Sequence, residues 1–244
     1  MSLMYVKNQT PEVCLAAVKK SGWAIQYVKN RTPELCLEAV KSTGLALRYV
    51  KNQTSEICLA AVRQNGNALR FVCVQTPEIC LAAVRQNGMT LMHVEEQTPE
   101  ICFAAIEQET WALEYVKEQT PELCLEAVRD NGMALELVLD QTPEICLEAV
   151  RNTGEALRCV KNRTSEICLE AVKQYGLALR YVPKREQALP IAIAALKQNP
   201  DSRKYLADRF RTPEVYKAAG YDYKTEDLAL SRRSAERERT ESRH

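Results

Sequence analysis

Hydrophobic and polar positions follow one pattern that returns every 22 residues along most of the chain. In each copy, an apolar stretch at helical spacing is followed by a glycine and a second, shorter apolar stretch. A fixed period of this size is typical of a solenoid, whose repeats bury their apolar faces by stacking on their neighbours. The marker threonines are Thr10, Thr32, Thr54, Thr76, Thr98, Thr120, Thr142 and Thr164. The pattern therefore predicts an all-α fold, an α-solenoid of about eight helix-turn-helix repeats in a superhelical array.

The first half of each repeat is typical of a short amphipathic helix, here called helix A. In the first copy the sequence predicts helix A from about Pro11 to Lys20. Thr10 supplies an N-cap hydroxyl, proline fits the first helical position, and Glu12 lies at the positive end of the helix dipole. The inward positions recur at helical spacing: Val13, Cys14, Ala17 and Val18.

The second half of the repeat predicts another helix, helix B, from about Trp23 to Lys29, with Ala24, Ile25 and Val28 facing inward. A glycine separates the two helices. We expect this glycine to cap helix A in the left-handed conformation, where the absence of a Cβ avoids a steric penalty. It stands at Gly22, Gly44, Gly66, Gly88, Gly132, Gly154 and Gly176.

The middle of the array departs from the pattern. His93 replaces a tyrosine, Phe103 replaces a leucine, and Thr110 replaces the glycine. A β-branched residue is costly in the left-handed conformation. We therefore expect the junction near Glu109, Thr110 and Trp111 to adopt another geometry, such as a helix A that runs on, and to bend the solenoid.

Beyond Pro183 the 22-residue spacing breaks. Residues 189–206 still follow the repeat after a two-residue insertion, and residues 212–220 begin one more helix A. From about Tyr223 the chain is charged and has little apolar surface to bury, which is typical of a flexible segment. The sequence predicts three parts: a helical repeat solenoid over 1–183, a degenerate helical repeat or cap over 184–222, and a charged tail over 223–244.

The repeat pattern T-P-E-I-C-L-A-A-V-R-Q-N-G-x-A-L-R-Y-V, over about Leu3 to Val182, resembles a family of short two-helix repeats of unknown function. Such repeats abound in giant-virus and some bacterial proteins. The resemblance implies an α-helical array, and it brings no reaction and no catalytic residue with it.

The chain begins with the second half of a repeat, because Leu3, Met4, Tyr5 and Val6 match helix B. Terminal repeats usually carry a polar outer face. We therefore expect either a longer chain upstream or an end that associates with another surface, for example head to tail with a second copy.

Charge is balanced in total but not along the chain. Thirty-three basic and 32 acidic residues give a net charge of +1, which argues against an unscreened nucleic-acid or membrane binder. Residues 89–150, however, hold 14 acidic residues against Lys117 and Arg129. Several of the acidic residues are 22 apart and are expected to stack into columns.

These acidic columns and the irregular residues beside them form our candidate partner-binding site. Its residues are Glu96, Glu114, Glu118, Glu136, Asp140, His93 and Trp111. The expected ligand is a basic segment, such as the Arg-rich stretch from Arg232 to Arg243 of another copy. A solvated face without a partner is the alternative interpretation.

Basic and aromatic residues also recur at neighbouring positions of helix B. This pattern is compatible with single-stranded nucleic acid, bound by phosphate contacts and base stacking. The simpler interpretation is that each ring packs on the next repeat. The alternative nucleic-acid-binding residues are Arg48, Arg70, Arg158, Arg180, Tyr49 and Phe71.

Eight of the ten cysteines occupy one repeat position: Cys14, Cys36, Cys58, Cys80, Cys102, Cys124, Cys146 and Cys168. Stacked helices lie roughly 8–10 Å apart, beyond the roughly 7 Å Cα limit of a disulfide. We expect a ladder of buried thiols in a reducing, cytoplasmic compartment. Cys73 and Cys159 fall off this ladder and are the expected reactive thiols.

No sequence feature indicates an enzyme, a cofactor or a metal site. Only His93 and His244 offer an ordinary neutral-pH base, and the common phosphate-loop, hydrolase and zinc motifs are absent from the sequence. The apolar runs are too short for a membrane span, and no secretory signal is recognisable.

The sequence therefore favours a non-enzymatic scaffold that binds another macromolecule, foremost a protein, through exposed columns of helix B. Binding of single-stranded nucleic acid is the second hypothesis.

Overall fold

The computed structural model describes residues 3–6 and 8–221, and within them the chain is helical and contains no strand. Short α-helices and six-residue 3-10 helices alternate in a regular helix-turn arrangement, so the predicted all-α repeat fold is confirmed. The predicted charged tail, 223–244, lies outside the described residues.

The elements are numbered in chain order. The α-helices are α1 (Pro11–Lys20), α2 (Pro33–Ser42), α3 (Ser55–Gln64), α4 (Pro77–Gln86), α5 (Pro99–Gln108), α6 (Pro121–Asp130), α7 (Pro143–Asn152), α8 (Ser165–Gln174), α9 (Leu189–Gln198) and α10 (Pro213–Ala218). The 3-10 helices are η1 (Leu3–Tyr5), η2 (Gly22–Tyr27), η3 (Gly44–Tyr49), η4 (Gly66–Phe71), η5 (Gly88–His93), η6 (Thr110–Tyr115), η7 (Gly132–Leu137), η8 (Gly154–Cys159), η9 (Gly176–Tyr181), η10 (Pro200–Tyr205) and η11 (Asp208–Phe210).

The start of each α-helix follows the predicted capping pattern. In α1, the Thr10 hydroxyl accepts a hydrogen bond from the Val13 backbone N–H at 3.4 Å, and Pro11 is the first helical residue. A hydrogen bond from the backbone N–H of Glu12 lowers the pKa of that carboxyl, and the Thr10 hydroxyl lowers it further. The helix start is therefore fixed by neighbouring residues alone, which explains why the sequence predicts it well.

The second element of each repeat is a 3-10 helix, whereas the sequence predicted a longer helix B. In the first repeat η2 ends at Tyr27, and Val28 is already extended, with φ −73° and ψ 123°. The Val28 N–H donates to the Ile25 carbonyl at 3.1 Å, which closes the last i→i+3 turn. Residues three apart superpose in a 3-10 helix, so Gly22 and Ile25 are buried on the same side.

The prediction of a left-handed glycine cap was wrong. Within the described residues only Gly220 has a positive φ, of 86°. In the repeats an extended residue ends the α-helix, and the buried glycine then opens the 3-10 helix. A Cβ built on Gly66 would lie 2.7 Å from the Ala83 carbonyl oxygen of the next repeat. The glycine is therefore required by close packing between repeats and not by its own backbone conformation.

The expected irregular junction at Thr110 was also wrong. Helix α5 ends at Gln108, as in the other repeats, and η6 begins at Thr110. Glu109 between them is extended, with φ −152° and ψ 108°. Because the glycine position is not left-handed, a β-branched residue meets no conformational penalty there.

The described residues form two compact units, divided between Glu126 and Ala127 inside α6. In the N-terminal unit, α1 to α5 pack side by side in order, and so do η2 to η6. The buried residues recur from repeat to repeat; in the third repeat they are Ile57, Cys58, Ala61, Val62, Gly66, Ala68, Leu69 and Val72. Burying each large apolar side chain contributes about 1.5–3 kcal/mol.

The C-terminal unit repeats the same scheme, with α7 to α9 and η7 to η10 packed in order. Helix α9 and η10 keep the lengths of the other repeats despite the two-residue insertion before them, as expected for a degenerate repeat. Helix α10 starts one more copy and is followed by the left-handed Gly220.

Candidate protein-binding face

The 3-10 helices η2 to η6 of the N-terminal unit expose their second, fifth and sixth residues. The second and fifth are three apart and therefore lie on the same side of a 3-10 helix. We call this surface the 3-10 face. Its residues are Trp23, Gln26, Tyr27, Leu45, Arg48, Tyr49, Asn67, Arg70, Phe71, Met89, Met92, His93, Trp111, Glu114 and Tyr115, all exposed or half-buried.

The remaining positions of each 3-10 helix hold the face in place. In η4, Gly66, Ala68 and Leu69 are buried, and Val72 is buried directly after the helix. The Gly66 N–H donates to Gln86 Oε1 of the next repeat at 2.5 Å. Apolar packing of the buried residues and a hydrogen bond to the glutamine of the next repeat therefore hold the backbone that carries the outward side chains.

Aromatic rings and arginines form a continuous row on this face. Trp23 and Tyr49 meet edge to face, with ring centroids 6.2 Å apart and planes at 82°. The Arg48 guanidinium lies 5.2 Å from the Tyr49 centroid and 5.7 Å from that of Phe71 in the next repeat. Arg70 in turn lies 4.7 Å from the Phe71 centroid. Exposed contacts of this kind contribute about 0.5–1 kcal/mol each.

His93 continues the row at the same position as Tyr49 and Phe71. Burial lowers the pKa of His93, and the neighbouring Arg70 charge lowers it further. Beside it, Met92 is 55 % exposed and the Trp111 indole 39 % exposed. The row thus passes from cationic and aromatic residues to neutral, apolar ones.

The sequence interpretation missed the glutamine that precedes the marker threonine. Gln53 Nε2 donates to the Phe71 carbonyl at 2.7 Å, and Gln53 Oε1 accepts from the Cys73 N–H at 2.9 Å. One side chain thus bonds the end of η4 and the turn after it, and we call this arrangement the glutamine clamp. It recurs at Gln9, Gln75, Gln97, Gln141 and Gln187.

Arginine takes the clamp position before Thr32, Thr164 and Thr212. Arg31 donates to the carbonyls of Ile25, Gln26 and Tyr49 at 3.0, 2.9 and 3.1 Å. Arg163 occupies the equivalent position in the C-terminal unit. A glutamine or arginine directly before each of the eight marker threonines was the sequence signal that could have revealed this role.

The predicted acidic residues are divided between the two units. Glu96, Glu114 and Glu118 are exposed in the N-terminal unit, and Glu114 lies on the 3-10 face. Glu136 and Asp140 are exposed in the C-terminal unit, where Glu136 pairs with Arg158 at 3.6 Å. Trp111 and His93, the irregular residues of that hypothesis, both lie on the 3-10 face.

The alternative nucleic-acid residues are divided in the same way. Arg48, Arg70, Tyr49 and Phe71 lie together in the row described above. In the C-terminal unit, Arg158 pairs with Glu136, and Arg180 Nη2 lies 3.0 Å from Glu155 Oε1. Carboxylates therefore partner both of these arginines, whereas the first four residues form a common surface within the N-terminal unit.

All ten cysteines are free thiols, and the eight ladder cysteines are buried as predicted. In the repeats with a glutamine clamp, the ladder thiol also points at the clamp, as Cys80 Sγ does to Gln75 Oε1 at 3.5 Å. Cys73 is exposed and Cys159 half-buried. Burial raises the pKa of Cys159, so that thiol is less reactive than its position off the ladder indicated.

Within residues 3–6 and 8–221, no three side chains of His, Cys, Asp or Glu gather in a metal-binding arrangement. The same residues include no helix of sufficient length and apolarity to cross a membrane.

Fold and surface together define a helical-repeat protein with a variable outer face. Three stretches of the chain, residues 10–54, 32–75 and 142–185, match the family described as domain of unknown function DUF4116. The resemblance to a short repeat family of unknown function is confirmed over these stretches. No curated protein and no solved structure matches the chain.

Proposed function

We propose that this chain is a non-enzymatic repeat scaffold that binds another protein through the 3-10 face. The observation that carries the proposal is where the repeats differ. The fourth residue of η2 to η6 is always isoleucine or leucine and fully buried, whereas the second residue, exposed or half-buried, is Trp, Leu, Asn, Met and Trp in turn. The fold needs the constant positions, and the varied exposed positions are free to define a binding surface.

The composition of the 3-10 face supports a protein partner. Tryptophan, tyrosine, phenylalanine, methionine and arginine are the residues enriched at the centres of protein interfaces. Trp23, Met92 and Trp111 are 38 %, 55 % and 39 % exposed, so they offer apolar area without unfolding. Rings held by neighbouring repeats are also pre-organised, which lowers the entropic cost of binding.

Single-stranded nucleic acid is the second candidate, because Arg48 and Arg70 stand in one row with Tyr49 and Phe71. Guanidinium groups already lie against these two rings. A stacking base would have to displace an arginine, and the net charge of +1 gives weak long-range attraction. These two facts favour the protein partner.

The decisive test compares partner capture by two triple variants. W23A/M92A/W111A removes exposed apolar groups from the 3-10 face, and R63A/R85A/E107A removes exposed groups from the α-helices of the same unit. We expect proteins captured from the native cell to be depleted at least about tenfold by the first variant and retained by the second. Equal capture by both variants would contradict the proposal.

The nucleic-acid candidate has its own measurement. Fluorescence anisotropy of a labelled single strand at low salt, with wild type and R48A/R70A, separates the two functions. Tight, salt-sensitive binding that R48A/R70A abolishes would replace the protein-binding proposal with the second candidate.

A further inference from the structure

Cys73 is the one cysteine at its repeat position. The equivalent residues in the neighbouring turns are Lys29, Lys51, Glu95, Lys117, Leu139 and Lys161. Cys73 is exposed in the turn after η4. Only this repeat therefore has a thiol both on the buried ladder, at Cys58, and in the turn that follows.

The Cys58 thiol and the Cys73 backbone contact the same atom. Cys58 Sγ lies 3.5 Å from Gln53 Oε1, and the Cys73 backbone N–H donates to that oxygen at 2.9 Å. The clamp glutamine thus brings the start of α3 and the turn after η4 together. In the next repeat, the ladder and turn positions around Gln75 Oε1 are occupied by Cys80 and Glu95.

The turn residue also acts electrostatically on the ladder thiol. Burial raises the pKa of Cys58, and the nearby Cys73 raises it further. Burial likewise raises the pKa of Cys80, and the Glu95 carboxylate adds to the effect. In both repeats the clamp glutamine contacts the ladder thiol and the backbone N–H of the turn residue, so the two segments lie together.

We propose that Cys58 and Cys73 form a reversible intramolecular disulfide when the chain meets hydrogen peroxide. The exposed Cys73 thiolate attacks a peroxide oxygen, the O–O bond breaks, and hydroxide leaves and is protonated to water. The resulting Cys73 sulfenic acid is attacked by Cys58 Sγ; the S–S bond forms, the S–O bond breaks, and the hydroxyl leaves with the thiol proton as water. Two thiols lose two electrons, and the peroxide is reduced to two waters.

The disulfide has a local consequence. Gln53 lies against both cysteines, so its amide must move when the sulfur atoms come into bonding distance. The hydrogen bond from Gln53 Nε2 to the Phe71 carbonyl is then lost. Oxidation therefore loosens the end of η4, which carries Arg70 and Phe71.

The test uses the full chain, reduced and then treated with equimolar hydrogen peroxide. Free thiols are alkylated and the digest is analysed by mass spectrometry, with hydrogen exchange of residues 69–75 measured in parallel. We expect one linked peptide pair containing Cys58 and Cys73, reversal by dithiothreitol and faster exchange in the oxidised form. Cys73 recovered as sulfinic acid, or linked to Cys73 of a second chain, overturns the proposal.

Variants test the pairing independently. C73S should give no disulfide, C159S should give the wild-type result, and C58A should leave a Cys73 sulfenic acid that dimedone traps. If C58A does not fold, E95C serves in its place, because it adds a thiol at the turn position against Gln75 and next to Cys80. E95C should form a second disulfide under the same treatment, and its failure to do so would contradict the geometry.

Discussion

At the scale of single residues, the glycine that opens each 3-10 helix shows how repeats constrain one another. Its N–H donates to a side chain of the next repeat, as Gly44 does to Gln64 Oε1 at 2.6 Å. The space where a Cβ would stand is taken by a backbone carbonyl, which cannot rotate away as a side chain can. Thr110 shows that the backbone conformation itself accepts a side chain, so the obstacle at Gly66 is the neighbour.

Gly66→Ala should therefore destabilise the protein by about 1–3 kcal/mol, the usual cost of overpacking. A Cβ 2.7 Å from the Ala83 carbonyl oxygen forces the two repeats apart. Urea unfolding followed by circular dichroism measures the change. The exposed neighbour Asn67 gives the control, since N67A should leave stability nearly unchanged; equal stability of the two variants would refute the packing argument.

His93 should make stability depend on pH in a defined window. Its pKa is lowered from 6.5 by burial and by Arg70, so the folded chain holds the imidazole neutral more firmly than the unfolded chain does. The unfolded state then binds the proton first, and stability falls as the pH drops below about 6.5. Urea midpoints at several pH values should show this loss of stability in wild type and not in H93Q. If the midpoints of the two proteins fall in parallel as the pH drops, His93 is not the cause.

At the scale of elements, the glutamine clamp explains how so short a 3-10 helix is held. Six residues form few hydrogen bonds of their own, and an isolated 3-10 helix of this length is marginal. Gln53 supplies a donor for the last carbonyl of η4 and an acceptor for the N–H in the turn. Both backbone groups are thereby satisfied where the helix ends.

Gln53→Ala should lower the free energy of unfolding by about 1–3 kcal/mol, because two backbone groups lose their partner. Gln53→Arg should recover part of this loss, since Arg31 fills the same position with donors to nearby carbonyls. Thermal unfolding tests the expected order of stability, in which wild type is the most stable, the arginine variant is intermediate and the alanine variant is the least stable. If the arginine variant is no more stable than the alanine variant, the assigned role of the N–H donors at this site is contradicted.

The sequence predicts those features whose causes lie within a few residues. Thr10 caps α1 through a residue three positions away, so capping, helix starts and the repeat period were all predicted correctly. Gly66 and Gln53 act through atoms about 20 residues distant, and neither role follows from local propensity. The contact between Arg48 and Phe71 is an intermediate case. The 22-residue period places neighbouring repeats side by side, so this contact could be predicted once the outward positions were known.

At the scale of the whole molecule, charge varies along the chain while the fold does not. Residues 1–88 hold 11 basic and five acidic residues, whereas residues 89–150 are strongly acidic. Glu96 and Glu118 occupy a turn position that holds Asn52, Val74 and Asn162 in other repeats. The repeat does not require these charges, so they are available for a basic partner segment.

E96K/E118K should abolish binding of a labelled peptide spanning residues 232–243, the basic ligand proposed for the acidic turns. Attraction between opposite charges becomes repulsion, and the loss should exceed tenfold at low salt. The matched control is E107K/E126K, which makes the same charge change on exposed α-helix positions of the same unit. Fluorescence anisotropy measures the affinity of both double variants for the peptide. Equal losses of affinity would show that only the net charge matters, and not the position of the two glutamates.

The glutamine clamp joins the two ends of a single repeat, since Gln53 precedes α3 and its partners lie at the end of η4 and in the turn after it. Removing residues 54–75 would place Gln53 directly before Thr76, where Gln75 now stands, and every hydrogen-bonding position would be filled again by a residue of the same kind. Each 22-residue segment is thus a self-contained cassette. Tandem duplication or loss of whole cassettes can lengthen or shorten such a protein during evolution without creating a defective junction.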